Sequence, residues 1–166
     1  MKLSDFGYDL PPERIAQHPV NPRDHARLLT VDDAFQDLSI KDLPGLLRAG
    51  DLLVFNNTRV IPTRLEGRRK TAKVEVTLHK EDAPGTWRAF AKPARKLKPG
   101  DVIEFAPNFT AEVTAKGEYG EVTLTFPLSD ADFSQALERH GMMPLPPYIK
   151  RSTKPDSQDR HDYQTM

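Results

Sequence analysis

Cysteine is absent from the 166 residues, which excludes disulfides and thiolate metal sites. No apolar run approaches the ~20 residues that a membrane-spanning helix needs. The N-terminus also lacks the apolar core of a signal peptide. Glycine is sparse, at nine residues, and never falls into G-x-G-x-x-G or a P-loop, so no dinucleotide or ATP cradle is read. The histidines His18, His25, His79, His140 and His161 have no metal-ligand spacing. Net charge is lacking too: 24 basic residues balance 24 acidic ones, and no global field points to nucleic acid. A soluble cytoplasmic protein without metal is the expectation.

What is present is unevenly placed. Residues 64–100 carry 11 basic and 4 acidic residues, whereas the flanking segments are net acidic. The 15 prolines sit in short clusters and not in a low-complexity tract. Pro11 to Ile15 reads as a short helix opened by proline. Arg27 to Val31 reads as a strand closing at Asp32-Asp33, with Phe35 to Ile40 as its hairpin partner. Leu43, Leu46 and Leu47 predict a helix over Lys41 to Arg48, stopped near Gly50. Leu52 to Phe55 is a continuous apolar run, the pattern of a strand buried on both faces. It breaks into Asn56-Asn57-Thr58-Arg59, polar side chains suited either to a turn or to contacts with a sugar, a base or a phosphate.

From about Leu65 the texture becomes β. Lys73–His79, Thr86–Lys92, Val102–Phe105, Phe109–Ala115 and Glu121–Phe126 are short strand-like segments punctuated by Gly, Pro and Asn, the pattern of an all-β barrel or sandwich. Trp87, Phe90, Phe105, Phe109 and Phe126 read as its core. Ser129 to His140 predicts a helix with Phe133, Ala136 and Leu137 on one face and Gly141 as a C-cap. Pro144 to Tyr148 must be extended. Asp156 to Gln164 reads as a polar, helix-compatible tail.

Three blocks carry a resemblance. The first is Phe6-Gly7-Tyr8-Asp9-Leu10-Pro11-Pro12-Glu13 with Ile15-Ala16-Gln17-His18-Pro19, Arg23-Asp24 and Arg27-Leu28-Leu29. The second is Gly50-Asp51-Leu52-Leu53-Val54-Phe55-Asn56-Asn57-Thr58-Arg59-Val60-Ile61-Pro62-Thr63-Arg64-Leu65. The third is Glu138-Arg139-His140-Gly141-Met142-Met143-Pro144-Leu145-Pro146-Pro147-Tyr148-Ile149-Lys150-Arg151. In this order they resemble the S-adenosylmethionine:tRNA ribosyltransferase-isomerases of queuosine biosynthesis. The resemblance implies an α+β protein, a partial α/β domain with an inserted antiparallel β-barrel. Residues 1–65 would be the first part of the core domain, 66–126 the barrel, and 127–166 a helix and Pro-rich return. The family is about twice this length, so a fragment or truncated product is expected, without the family's Gly-Leu-His-Phe region.

The implied reaction moves and isomerises the ribosyl group of S-adenosylmethionine onto 7-aminomethyl-7-deazaguanine in tRNA. Epoxyqueuosine forms, and adenine and methionine leave. S-adenosylmethionine is then a substrate, tRNA the partner, and no cofactor or metal is implied. His18, Asp24 and His140 are candidates for moving a proton. Arg23, Arg27, Asn56, Thr58, Arg59 and Tyr148 are candidates for substrate contact, and Arg68, Arg69, Lys70, Lys73, Arg95 and Lys96 for RNA. Each has a plainer reading, as a surface ion pair worth ~0–1 kcal/mol, a structural histidine or a solvated barrel face. The alternative function is a non-catalytic RNA-binding or assembly module. A free-standing barrel unrelated to tRNA would require all three blocks to be coincidental.

Overall fold

A computed structural model of the chain describes residues 1–31, 33–151 and 158–165. Asp32 and Asp156, named above in a turn and a tail, lie outside the described residues. The rest is mixed helix and sheet in two compact units, one holding residues 1–57 and 146–151, the other 58–145 and 158–165.

In the first unit, β1 (Arg27–Val31) and β2 (Phe35–Ser39) form the expected antiparallel hairpin, Arg27 opposite Ser39 and Val31 opposite Phe35. Short 3-10 turns occupy Leu3–Phe6, Pro12–Arg14 and Arg23–His25. The helix expected over Lys41 to Arg48 is instead a 3-10 segment, Ile40–Gly45. Asp42 opens it by accepting the Ser39 backbone N–H at 2.9 Å. Pro44 lies inside it, lacks the N–H that a longer helix would use, and keeps the segment short.

The buried strand expected at Leu52 to Phe55 is not formed. The four side chains are 86, 45, 85 and 71% exposed, and none pairs with the hairpin. A strand covered on both faces needs neighbouring strands and two packing layers. Among the described residues this unit has one two-stranded sheet and no fully buried apolar side chain, so nothing there can cover the run.

The second unit holds every buried apolar side chain of the described residues. Its six strands are β3 (Arg64–Arg69), β4 (Ala72–Ala83), β5 (Thr86–Lys92), β6 (Val102–Ala106), β7 (Phe109–Lys116) and β8 (Glu121–Thr125). All pairs are antiparallel, and the order β3-β4-β5-β8-β7-β6 closes on itself. Period-2 alternation fills the inside: Val74, Val76 and Leu78 from β4, Ala111 and Val113 from β7, Val122 and Leu124 from β8. The rings of Phe109, Phe126 and Phe133 pack with centroids 4.7 to 6.4 Å apart, where α1 (Asp130–His140) buries Phe133 and Leu137 in the same core. Ser129 caps α1 by accepting the Asp132 N–H at 3.2 Å.

One strand and one residue depart from the expected strand and core lists. β3 went unread because only Leu65 and Gly67 interrupt its four charged residues. Phe90, expected inside, points outward and is 50% exposed. Trp87 and Phe90 are three apart on one strand, so alternation cannot bury both; Ala89 and Ala91 take the inward positions. The seam between β6 and β3 is a single pair, Glu104 opposite Arg68. Beside it, Arg69 Nε lies 2.7 Å from Asp101 Oδ2, with both side chains mostly covered. Arg69 and the Lys98 backbone N–H hold the Asp101 carboxyl below the usual carboxylate range.

These opposite placements predict opposite costs. Phe109→Ala should lower stability by about 3–5 kcal/mol. Phe90→Ala should change it by no more than about 0.5 kcal/mol. Urea unfolding curves of the two variants measure the difference; equal losses would place Phe90 in the core after all.

Candidate functional site

The approach to β3 is where separate parts of the sequence meet within the second unit. Pro62 and Thr63 are buried, and the Leu78 N–H donates to the Thr63 carbonyl at 3.0 Å. Arg64 and Met142 exchange backbone hydrogen bonds at 3.1 and 2.8 Å, which ties the segment after α1 to the start of β3. Gly141 sits between. A Cβ there would lie 2.0 Å from the Pro62 carbonyl oxygen and 2.6 Å from that of Leu137. The expected left-handed cap is not what calls for glycine: Gly141 has φ −77° and ψ 154°, extended backbone. Close approach of two backbones does.

The end of the chain straps the same place. The Gln164 amide donates to the Val60 carbonyl and accepts the Val60 N–H, both at 3.1 Å, as a neighbouring strand would. The Thr165 hydroxyl donates to the Thr58 carbonyl. From α2 (Asp159–Asp162), Arg160 donates to the carbonyls of Glu138 at 2.7 Å and Gly141 at 3.0 Å, satisfying groups left open at the end of α1. Its other terminal nitrogen donates to Glu138 Oε2 at 3.1 Å, while Arg59 approaches Glu138 Oε1 at 3.4 Å. Glu138 is thus held between two guanidiniums.

Beside Glu138 opens a cavity of about 530 Å³. Ile61, Pro62, Trp87, Phe133 and Leu137 supply its apolar lining, and Glu81, Asp82, Asp130 and Glu138 its carboxylates. Asp82 is neutralised by Arg88 at 2.6 Å and Lys80 at 3.3 Å, and Arg88 keeps its carboxyl below the usual range. Glu81 and Asp130 make no ion pair among the described residues. Aromatic faces with uncompensated carboxylates suit a flat group carrying positive charge.

The predicted residues fall in several places. Thr58 and Arg59 belong to this site. Asn56 belongs to the first unit, with His18, Arg23, Asp24, Arg27 and Tyr148. There the first and third blocks meet on Gln17. Its amide donates to the Tyr148 carbonyl at 3.2 Å and accepts the Lys150 N–H at 2.7 Å, and Arg151 donates to its backbone carbonyl at 2.9 Å. His18 follows it, exposed, and Tyr148 is 56% exposed. Arg27 donates to Asp37 at 2.7 Å in an exposed pair across the hairpin. His140 lines a separate hollow of about 300 Å³ with Asp132 and Arg139, its ring centroid 6.0 Å from that of Phe109.

Of the basic set, Arg68 and Lys73 are exposed on the outer wall and Lys70 in the β3–β4 turn, while Arg95 and Lys96 form an exposed 3-10 turn. Arg69 is engaged with Asp101. Sequence reasoning did not single out Glu138, Arg160 or Gln164. Glu138 stands in a family-like segment, which was the available signal; Arg160 and Gln164 lie in a tail that reads only as polar. Among the described residues no group of three or more His, Asp or Glu is placed to hold a metal ion.

The closed barrel, tied through Arg64 to Met142, brings together parts of the second and third blocks in which the sequence resembles queuosine enzymes. Comparison with known proteins defines the class: the family described as "Queuosine biosynthesis protein" matches residues 3–166, and the chain belongs to that family. Its similarity to particular members is high. The S-adenosylmethionine:tRNA ribosyltransferase-isomerase of Rhodospirillum rubrum is 56% identical over 100% of this chain and 48% of that protein. The protein of the same name from Phenylobacterium zucineum is 51% identical over 100% of this chain and 51% of its own length. The crystal structure of S-adenosylmethionine tRNA ribosyltransferase from Thermotoga maritima is 35% identical, covering 80% of this chain and 48% of that one, with a TM-score of 0.42. The chain therefore spans about half the length of the curated relatives it matches.

The contact at Gly141 yields a stability prediction. Gly141→Ala should cost about 1–3 kcal/mol, because Pro62 and Leu137 present backbone that cannot swing aside. Gly45→Ala, whose Cβ meets nothing within 4 Å, should stay within about 0.5 kcal/mol of the parent. Thermal melts of both variants check this; a harmless Gly141→Ala would refute the close approach.

Proposed function

We propose that this chain contributes to an enzyme that transfers and isomerises the ribosyl group of S-adenosylmethionine onto 7-aminomethyl-7-deazaguanine in tRNA, giving epoxyqueuosine. The observation that carries the reading is the convergence of residues 58–64, 138–142 and 158–165 beside one cavity with an aromatic lining and uncompensated carboxylates. A sulfonium nucleoside is a flat base joined to a cation, and that cavity suits both parts. The reaction needs a neutral amine as nucleophile and a base to remove protons from the ribose. His18, Asp24 and His140 are the proposed candidates for proton movement. Arg23, Arg27, Asn56, Thr58, Arg59 and Tyr148 are proposed for substrate contact, and the exposed cations of the barrel for tRNA. The tRNA substrate puts the proposed activity in the cytoplasm.

We further propose that turnover needs more chain than these residues. The exposure of Leu52 to Phe55 supports this, since catalytic groups must be held within about 0.5 Å by packed neighbours. The second reading, an RNA-binding or assembly module, is favoured by the self-contained core of the barrel unit. One assay separates them: incubation with S-adenosylmethionine and tRNA bearing the aminomethyl-deazaguanine base, then mass spectrometry of the nucleosides. The 166-residue chain should form no epoxyqueuosine, and the same chain continued to the full length of its relatives should form it. Product from the short chain would place the whole active site within it. No product from either would leave the module reading.

A further inference from the structure

The outer wall of the barrel carries an aromatic pair that no part of the fold requires. β5 turns Arg88, Phe90 and Lys92 outward, and Phe90 remains 50% exposed. The His79 ring stacks on it, centroids 4.6 Å apart and planes 21° from parallel. Glu121, opposite Phe90 on β8, accepts from His79 Nε2 at 3.0 Å and so fixes the imidazole. The stack is thereby held rigid while much of the Phe90 surface faces solvent.

Its surroundings are polar. Thr77 stands opposite Phe90 on β4, and Lys92 lies two residues further along β5 on the same face, about 7 Å away. Lys92, Lys73 and Arg68 line a hollow of about 690 Å³ beside the stack, and none of the three makes an ion pair among the described residues. Of the carboxylates lining the same hollow, Glu75 is taken by Arg64 at 2.7 Å; Glu66 and Glu104 are the other two. A lone exposed ring pair beside Thr77, Glu121 and Lys92 is not the broad apolar patch that a protein partner needs. It fits one base stacked on the ring, with a phosphate reaching the neighbouring cations.

We propose that Phe90, braced by His79, is a stacking platform for an unpaired nucleobase of RNA, with Lys92 and Lys73 taking the adjoining phosphates. This rests on the reading of tRNA as substrate and deepens it by naming a contact outside the candidate site. The test measures binding by the 166-residue chain of two probes: whole tRNA, and an unpaired oligoribonucleotide carrying one 2-aminopurine. Phe90→Ala should weaken tRNA binding about 5- to 150-fold without changing its salt dependence. Phe90→Trp should restore it. Lys92→Ala should instead lower the log–log salt slope by ~0.7–0.9. Oligonucleotide binding should quench 2-aminopurine in the parent and not in Phe90→Ala. Should the parent ignore tRNA yet quench the oligonucleotide through Phe90, the tRNA reading falls and the platform stands. If Phe90→Ala, folded by its unchanged melting curve, binds both probes as the parent does, or if the parent quenches nothing, the platform is overturned.

Discussion

Inward-pointing apolar side chains on six antiparallel strands hold this protein together, because strand alternation leaves them one common place to go. Leu65, Val76, Ala89, Ile103, Val113, Val122 and Leu124, one or more from each strand, are all fully buried. Closure pairs every strand on both sides and removes the free edges that an open sheet of this size would expose. The seam is thin, one residue pair between β3 and β6, and the Arg69–Asp101 ion pair reinforces it. Helix α1 adds Phe133 and Leu137 to that core, and through α1 the third sequence block is fixed to the entrance of β3.

The candidate site is a consequence of that attachment. Once α1 is seated, its last turn delivers Glu138 and Gly141 to the Pro62–Arg64 segment, and backbone contact across Gly141 sets their spacing. Arg160 and Gln164 then bind carbonyls and amides that α1 and residues 58–60 leave open. The charged groups of the site are therefore mostly held by backbone hydrogen bonds and by each other, which fixes their positions without burying them deeply. The cavity next to them inherits its apolar lining from Trp87, Phe133 and Leu137, side chains already needed for the core.

Much of this was legible in the residues. Short strand-like segments between Gly, Pro and Asn announced β4 to β8, and Phe133 with Leu137 announced the buried face of α1. β3 was hidden because a barrel strand needs only one apolar face, and here that face is mainly Leu65 and Gly67. Leu52 to Phe55 was misread because an apolar run records the need for burial and not the presence of anything to bury it. Phe90 was misread because composition counts aromatic rings, whereas strand parity decides which way they point. The site showed itself mainly through resemblance: the Thr58–Arg59 segment and the Glu138–Gly141 segment are far apart in sequence, and no local pattern says that they meet. Arg160 had no signal at all, since its partners are backbone carbonyls of another segment.

The central claim is that stability in this chain resides in the barrel unit, while the apolar run before it is unprotected. Native-state hydrogen exchange of the 166-residue chain, read residue by residue, tests it most directly. The account predicts that the amides of Val76, Ala89, Val113 and Leu124 exchange only through global unfolding, and that those of Leu52 to Phe55 exchange at nearly the free-peptide rate. Equal protection of Leu52 to Phe55 and the barrel strands would contradict it.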